Sequence, residues 1–227
     1  MMNVNALKLN FQFDGDRMKQ ELESILDSFQ LIKNPYTGNS LNGIHLTLPL
    51  QDGIANEKGE TFCMTEELKK CLYLQEVLNT FKCDKLTFRA QNLKAGGNIG
   101  KHSDGGRGLN NNIVRLNIPV STNENVYTYY NGERILMKNG ECWLPNVIKP
   151  HEMKNDSDET RWLILIDCDL NDWWKDILRE KGIDFDNISK HANSSLEELQ
   201  SMKESFISMN MDKNMIEELE LEIVGRI

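Results

Sequence analysis

From Leu86 to Cys168, apolar residues recur mostly at every second position, and tight-turn dipeptides punctuate the run. Alternation of that kind puts the apolar side chains of an extended chain on one face, so it restricts this stretch to half-buried strands. Leu86, Phe88 and Ala90 share one face of the first strand, with Thr87, Arg89 and Gln91 on the other. Gly96-Gly97 marks a turn, and residues 113–120 form another strand. Residues 126–137 read as a hairpin around Asn131-Gly132, a dipeptide that accepts the positive φ angles of a type I′ turn. A further strand follows Asn139-Gly140 through Cys142 to Leu144. Trp162 to Cys168 is nearly continuous in apolar character, as expected of a strand buried on both faces or in a sandwich core. Many short strands with tight turns, flanked by helices, predict a mainly β fold: a sandwich or barrel with helices packed outside.

The flanks are mixed. Leu7, Leu9, Phe11 and Phe13 alternate as a strand, and Asp14 stands where a helix N-cap belongs. Met18, Leu22, Ile25, Leu26 and Phe29 follow at helical spacing until Asn34-Pro35 and Thr37-Gly38 break the pattern. Ile44, Leu46, Leu48 and Leu50 alternate again, with His45 and Thr47 opposite. Thr65 is the expected cap of a second helix with the stripe Leu68, Cys71, Leu72, Gln75 and Leu78. After about Leu170 the period turns helical: residues 172–180, a helix after the capping-box spacing of Ser194-Ser195 and Glu197-Glu198, and residues 212–223. The expected division is a β domain with N-terminal helices over 1–171 and a helical extension over 172–227. Amphipathic helices seldom stand alone in water, so the extension is expected to cover a pocket or to join two copies as a homodimer.

Charge and cysteine usage narrow the partners. A net charge of −9 argues against a sequence-independent grip on nucleic acid, which needs concentrated Lys and Arg. Much of the acidic excess lies in the C-terminal tail and reads as solvated helix faces. No apolar run approaches bilayer length, and residues 1–13 lack the pattern of a secretory signal. Five scattered cysteines without CxxC spacing suit reduced thiols. These features place the chain in the cytoplasm, with neither nucleic acid nor membrane as a partner.

The chemistry concentrates in Lys101-His-Ser-Asp-Gly-Gly106, in Pro150-His151, and in Arg161. Two imidazoles and one carboxylate form the ligand set that holds a non-haem Fe(II) on one face and leaves the other open. His102 and Asp104 are two apart, so on an extended chain both point the same way. A lone His-x-Asp is commonly a surface turn. Here a glycine-rich lead (Gly96, Gly97, Gly100) and Gly105-Gly106 surround it, as where backbone passes close to a bound ligand. Asn155-Asp156-Ser157-Asp158 supplies a turn between His151 and Arg161. If that turn joins two neighbouring antiparallel strands, both side chains face one cavity. An arginine opening the buried run Trp162-Leu-Ile-Leu-Ile166 demands a paired charge, which either a dicarboxylate at the metal or a surface carboxylate of the protein would provide. Arg115 shares a strand face with Asn117. It either lines the pocket and binds a carboxylate, or faces solvent on an edge strand. Trp143 and Trp162 are core residues or pocket walls; Arg107 is a substrate contact or a surface residue. His45 and His191 lie outside the constellation.

Val114-Arg-Leu-Asn-Ile-Pro119, Asn131-Gly-Glu-Arg134, Gly140-Glu-Cys-Trp143, Pro150-His151, Asn155, Ser157-Asp158-Glu159, Arg161 and Ile166-Asp167 together resemble the aspartyl/asparaginyl β-hydroxylase family. Within it, the likeness is to the bacterial branch that includes proline hydroxylases, and it spans roughly residues 86–172. The resemblance implies a double-stranded β-helix, or cupin-like jelly roll. It also implies an Fe(II)- and 2-oxoglutarate-dependent dioxygenase that hydroxylates an unactivated C–H with release of succinate and CO₂. The substrate would be an amino acid or an Asp/Asn-type residue in a peptide. His102, Asp104 and His151 become the iron ligands, and Arg161 the co-substrate arginine. Arg115 is a second candidate for the co-substrate, and Arg107, Asn117 and Trp143 for the substrate. Asn117 stands where relatives often carry a histidine. The alternative is a non-catalytic β-helix module that binds a ligand or partner, which a degraded ligand set would favour; here the set is complete.

Overall fold

The structure is a computed structural model that describes residues 2, 4–26, 32–33, 41–49, 62–185, 194–209, 211 and 213–224. Phe29, Asn34-Pro35, Thr37-Gly38, Leu50, His191 and Asp212 lie outside the described residues. The elements begin with β1 (Ala6–Gln12), α1 (Gly15–Ile25), β2 (Ile32–Lys33), β3 (Leu41–His45), β4 (Thr47–Pro49), β5 (Phe62–Met64) and α2 (Leu72–Thr80). Then come β6 (Lys85–Leu93), β7 (Asn98–His102), β8 (Ile113–Ser121), β9 (Val126–Tyr130), β10 (Glu133–Arg134), β11 (Glu141–Pro145), β12 (His151–Asn155) and β13 (Arg161–Asp169). The helices α3 (Asp172–Glu180), α4 (Leu196–Ser208) and α5 (Lys213–Val224) follow.

Two antiparallel sheets form the jelly roll. The larger runs β1-β11-β8-β13-β6-β3-β2 and the smaller β10-β9-β12-β7; β4 and β5 make a separate ribbon. β13 lies inside the larger sheet, paired on one side with β6 and on the other with β8. Its even-numbered residues Trp162, Ile164, Ile166 and Cys168 join Phe88, Ala90, Val114, Leu116 and Ile118 in the main core. Met18, Leu22, Leu74, Leu78 and Trp174, all from helices, complete that core. The odd-numbered face of β13, with Arg161, Leu163, Leu165 and Asp167, is left for the space between the sheets. This explains the unbroken apolar run: one face packs on helices and the other walls a cavity.

Local chemistry accounts for the boundaries. The Asp14 side chain accepts hydrogen bonds from Asp16 N and Arg17 N, both at 3.0 Å, and starts α1. Asn131 and Gly132 take φ values of 51° and 80°, the left-handed pair a type I′ turn requires. Gly140 has φ of 76°, and a Cβ there would lie 1.9 Å from the Phe13 carbonyl oxygen, so β1 can cross it only at glycine.

The second helix differs from expectation. Thr65 caps only a short 3₁₀ turn, with Leu68 N donating to its hydroxyl at 3.2 Å. α2 starts afresh at Leu72 because the Glu21 carboxylate accepts from Tyr73 N at 2.9 Å and Leu74 N at 2.8 Å. The restart rotates the buried stripe to Leu74, Val77 and Leu78 and leaves Leu72 68% exposed.

α3 docks into the main core through Trp174 and Leu178, both fully buried. The Trp174 ring stacks on Phe81 at 5.6 Å, and its indole N–H donates to Cys83 Sγ at 3.2 Å. Ser195 and Glu198 form the expected capping box of α4. α4 and α5 bury Leu199 and Leu219. All five cysteines carry free thiols. Among the described residues no helix is long and apolar enough to cross a membrane.

Candidate metal centre

The register of β13 lays out the floor of the inter-sheet cavity in rows. Thr87 of β6, Asp167 and Arg115 of β8 form one row; Arg89, Leu165 and Asn117 form the next; Gln91 and Leu163 continue it; Arg161 sits opposite Leu93 at the far end. The facing wall comes from the smaller sheet, where His151 of β12 is paired with His102 of β7 and with Tyr130 of β9. The cavity between them measures about 630 Å³.

His102, Asp104 and His151 converge on one point: one ligand atom from each lies within 4.8 Å of the others. The imidazole rings are 4.2 Å apart, and His102 Nε2 is 3.9 Å from Asp104 Oδ1. Backbone carbonyls set both tautomers. His102 Nδ1 is 2.8 Å from the Gly100 oxygen and His151 Nδ1 is 3.0 Å from the Lys149 oxygen. A carbonyl only accepts, so each Nδ1 carries the proton and each Nε2 keeps its lone pair for a cation. Burial lowers the pKa of His151 and favours the neutral, ligating form, although the Lys149 carbonyl acts in the opposite sense. Tyr130 stacks on His151 at 5.5 Å. Asp104 lies in the turn after β7, where its amide donates to the Val147 oxygen at 2.8 Å. The donor set, two imidazoles and a carboxylate on one side of a cavity, fits a divalent first-row metal.

Arg161 is 4% exposed, its Nε is buried without a partner, and among the described residues no carboxylate pairs with it. Burial pushes its pKa down to about 10. Tyr130 is its electrostatic neighbour, and burial raises that phenol to about 12. The Tyr130 hydroxyl accepts from Asn117 Nδ2 at 3.0 Å and so keeps its own proton to donate. Asn117 Oδ1 is buried without a donor.

The family model of the aspartyl/asparaginyl β-hydroxylases matches residues 14–171. The chain belongs to that family. The match agrees with the resemblance carried by the strand motifs, and it makes the protein a hydroxylase of the 2-oxoglutarate/iron oxygenase class. No curated protein matches the sequence. An oxidoreductase of the 2OG-Fe(II) oxygenase family from Burkholderia pseudomallei is 9% identical at a TM-score of 0.49, covering 74% of this chain and 87% of its own. A prolyl-4-hydroxylase from Pseudomonas putida is 10% identical at a TM-score of 0.48, covering 74% and 94%. A prolyl hydroxylase from Trichoplax adhaerens, solved with a hypoxia inducible factor peptide fragment, is 12% identical at 0.47, covering 74% and 84%.

Several expectations about this hydroxylase's site need correction. His151 and Arg161 are not on neighbouring strands: β12 belongs to the smaller sheet and β13 to the larger. Asn155, fully buried, makes the crossing. Its Nδ2 donates to the carbonyls of Leu93, Lys94 and Glu159, and its Oδ1 accepts from Ser157. Arg115 lines the cavity, as one of its two readings had it, but the carboxylates it binds are the protein's own. β8 is an interior strand, and Arg115 binds Asp167 through Nε and Nη2 and Asp104 through Nη1. Burial alone would lower its pKa, but the two carboxylates raise it. Arg107 reaches the buried Asp167 at 3.6 Å and does not line the cavity. Trp143 does not line it either; its indole donates to Glu141 at 3.0 Å. Asn117 does line it.

Three residues escaped the sequence reading. Arg89 lines the cavity with a buried, unpartnered Nε, and burial followed by the charge of Arg115 lowers its pKa. Its signal was an arginine in mid-strand, where alternation alone permits either face. Tyr130 left no signal beyond its place in a hairpin. Asp167 had a clearer one: a carboxylate inside an apolar strand must find a cation.

Proposed function

We propose that the protein is an Fe(II)- and 2-oxoglutarate-dependent dioxygenase that hydroxylates an unactivated C–H of a carboxylate-bearing substrate, an amino acid or an Asp-type residue in a peptide. The observation that carries the reading is Arg161, a buried guanidinium without a carboxylate partner among the described residues, on the strand whose Leu163 and Leu165 line the cavity that holds two imidazoles and a carboxylate. An uncompensated buried cation is costly unless an anion joins it. Iron bound with 2-oxoglutarate supplies the oxidation by O₂, with succinate and CO₂ as co-products.

The chain's own residues hold and orient. Nε2 of His102, Nε2 of His151 and Asp104 Oδ1 hold the metal. Arg161 takes the far carboxylate of the co-substrate, and the Tyr130 phenol, protonated at neutral pH, donates to one of its oxygens. Leu163, Leu165 and Met153 keep that end of the cavity dry.

Charge balance singles out Arg89 for the substrate. A divalent metal, the dianion, Asp104 and Arg161 sum to zero, and Arg115 cancels Asp167. Of the guanidinium groups that line the cavity, Arg89 remains, with no ion pair among the described residues; Arg107, which shares Asp167 with Arg115, lies outside the lining. A carboxylate on the substrate pairs with Arg89.

The deciding experiment is anaerobic titration of 2-oxoglutarate into the Fe(II)-loaded protein, followed by aeration with the common amino acids and short Asp-containing peptides. The expected result is a visible charge-transfer band on titration, then succinate and a +16 Da product. Absence of the band would return the chain to the role of a non-catalytic binding module. A product from substrates lacking any carboxylate, with turnover unaffected by Arg89→Met, would remove Arg89 from the assignment.

A further inference from the structure

Asp104 is shared. Its Oδ1 faces His102, while its Oδ2 accepts from Arg115 Nη1. An arginine beside a carboxylate favours a fork, with two parallel N–H donors taking both oxygens. If Arg115 did so here, the fork would take a lone pair on each oxygen of Asp104 and compete with a cation for both. What prevents it is Asp167, which occupies the fork: Arg115 Nε donates to Asp167 Oδ1 at 2.7 Å and Nη2 to Oδ2 at 2.9 Å. With that edge of the guanidinium held, Asp104 receives a single N–H, from Nη1.

Asp167 is itself held. It is fully buried, accepts from Thr87 Oγ1 at 3.0 Å, and has Arg107 Nη1 at 3.6 Å. Arg115, at 5% exposure, is packed along the same row of the sheet. The chain Thr87–Asp167–Arg115–Asp104 therefore runs from the middle of the larger sheet to the cation-binding carboxylate.

We propose that Asp167 is a positioning residue for the metal: by engaging the Arg115 fork, it limits Arg115 to one oxygen of Asp104 and leaves the other to the cation. The inference rests on the reading of His102, Asp104 and His151 as metal ligands. Asp167 touches neither metal nor substrate. In Asp167→Asn the charge is gone and an N–H₂ group faces the guanidinium, so the Arg115 fork turns to Asp104 and competes with the metal.

The test is Co(II) affinity, followed by ligand-field absorption in air without turnover, alongside thermal melting of each metal-free variant. D167N is expected to bind Co(II) roughly 10- to 100-fold more weakly than wild type, the range typical of residues that orient metal ligands. The double variant D167N/R115M removes the stray guanidinium as well and is expected to regain most of that loss. A purely structural role for Asp167 predicts the reverse, a double variant no better than the single one. Unchanged affinity in D167N, or a double variant as weak as D167N at equal melting temperature, overturns the proposal. Should D167N fail to fold, Thr87→Val loosens Asp167 without altering charge; a few-fold loss of Co(II) affinity is then expected, and none would refute it. Wild-type protein that takes up no Co(II) would instead sink the metal assignment itself.

Discussion

Replacing Arg161 by Met should move stability and co-substrate binding in opposite directions. The guanidinium is fully buried, and burial lowers its pKa from 12.5 to about 10. At about 1.4 kcal/mol per tenfold, that lowering corresponds to roughly 3 kcal/mol of destabilisation in the metal-free protein. The sign follows from linkage. A cation whose pKa falls on folding is penalised wherever it is charged, so the full cost applies at neutral pH and lifts only as pH rises from about 10 toward 12.5. Met fills a similar volume without the charge, so the R161M apo-protein should melt several degrees higher, at roughly 2–4 °C per kcal/mol for a chain of this size. With Mn(II) present and 2-oxoglutarate at about 100 times its Kd, wild type gains about 2.7 kcal/mol. Loss of one member of a buried charge pair costs about 2–5 kcal/mol, so R161M should bind 2-oxoglutarate roughly 30- to 5,000-fold more weakly. At the same concentration its melting shift should shrink below about 3 °C. Paired melts with and without 2-oxoglutarate read both effects at once. An apo variant less stable than wild type, with its ligand shift intact, would refute both the unpaired state of Arg161 and its role.

Asp104→Ala should abolish high-affinity metal uptake and hydroxylation; full activity at unchanged iron occupancy would reject its assignment as ligand. Tyr130→Phe removes a donor to a charged carboxylate and should weaken 2-oxoglutarate by about 10- to 150-fold, with little effect on metal affinity, measured by titration of the Mn(II) form. Asn155→Ala leaves three carbonyls and Ser157 without their partner, so the melting temperature should fall by about 4–10 °C while the strand-to-strand crossing loosens. Because His151 has a lowered pKa in the fold, the unfolded chain gains the proton first on acidification. Apo stability should therefore decline as pH drops below about 6.5, and His151→Gln should flatten that decline in a pH series of melts.

The proposed metal ligands could be nominated from sequence because their constraints are local. His102 ends a glycine-rich strand, Asp104 lies in the turn after it, and Pro150 precedes His151, so residue type and spacing suffice to nominate them. The strands were legible for a similar reason: period-two alternation and the Asn131-Gly132 turn depend on neighbouring residues alone. Arg115, Arg161 and Arg89 were not equally readable. Each is an arginine at an alternating strand position, and sequence cannot say which one meets a carboxylate on another strand.

Strand periods, turn dipeptides, helix caps and the nomination of the proposed cation ligands thus belong to the sequence, since short-range sterics and side-chain chemistry govern them. The break between the 3₁₀ turn and α2 belongs to the fold, because Glu21 caps that helix from 52 positions away in the chain. So does the charge pairing of the cavity. Asp167 meets Arg115 only because β13 lies beside β8, and among the described residues Arg161 has no carboxylate partner because its row of the sheet brings none to it. Electrostatic partnership is decided across strands, at distances along the chain that no local pattern encodes.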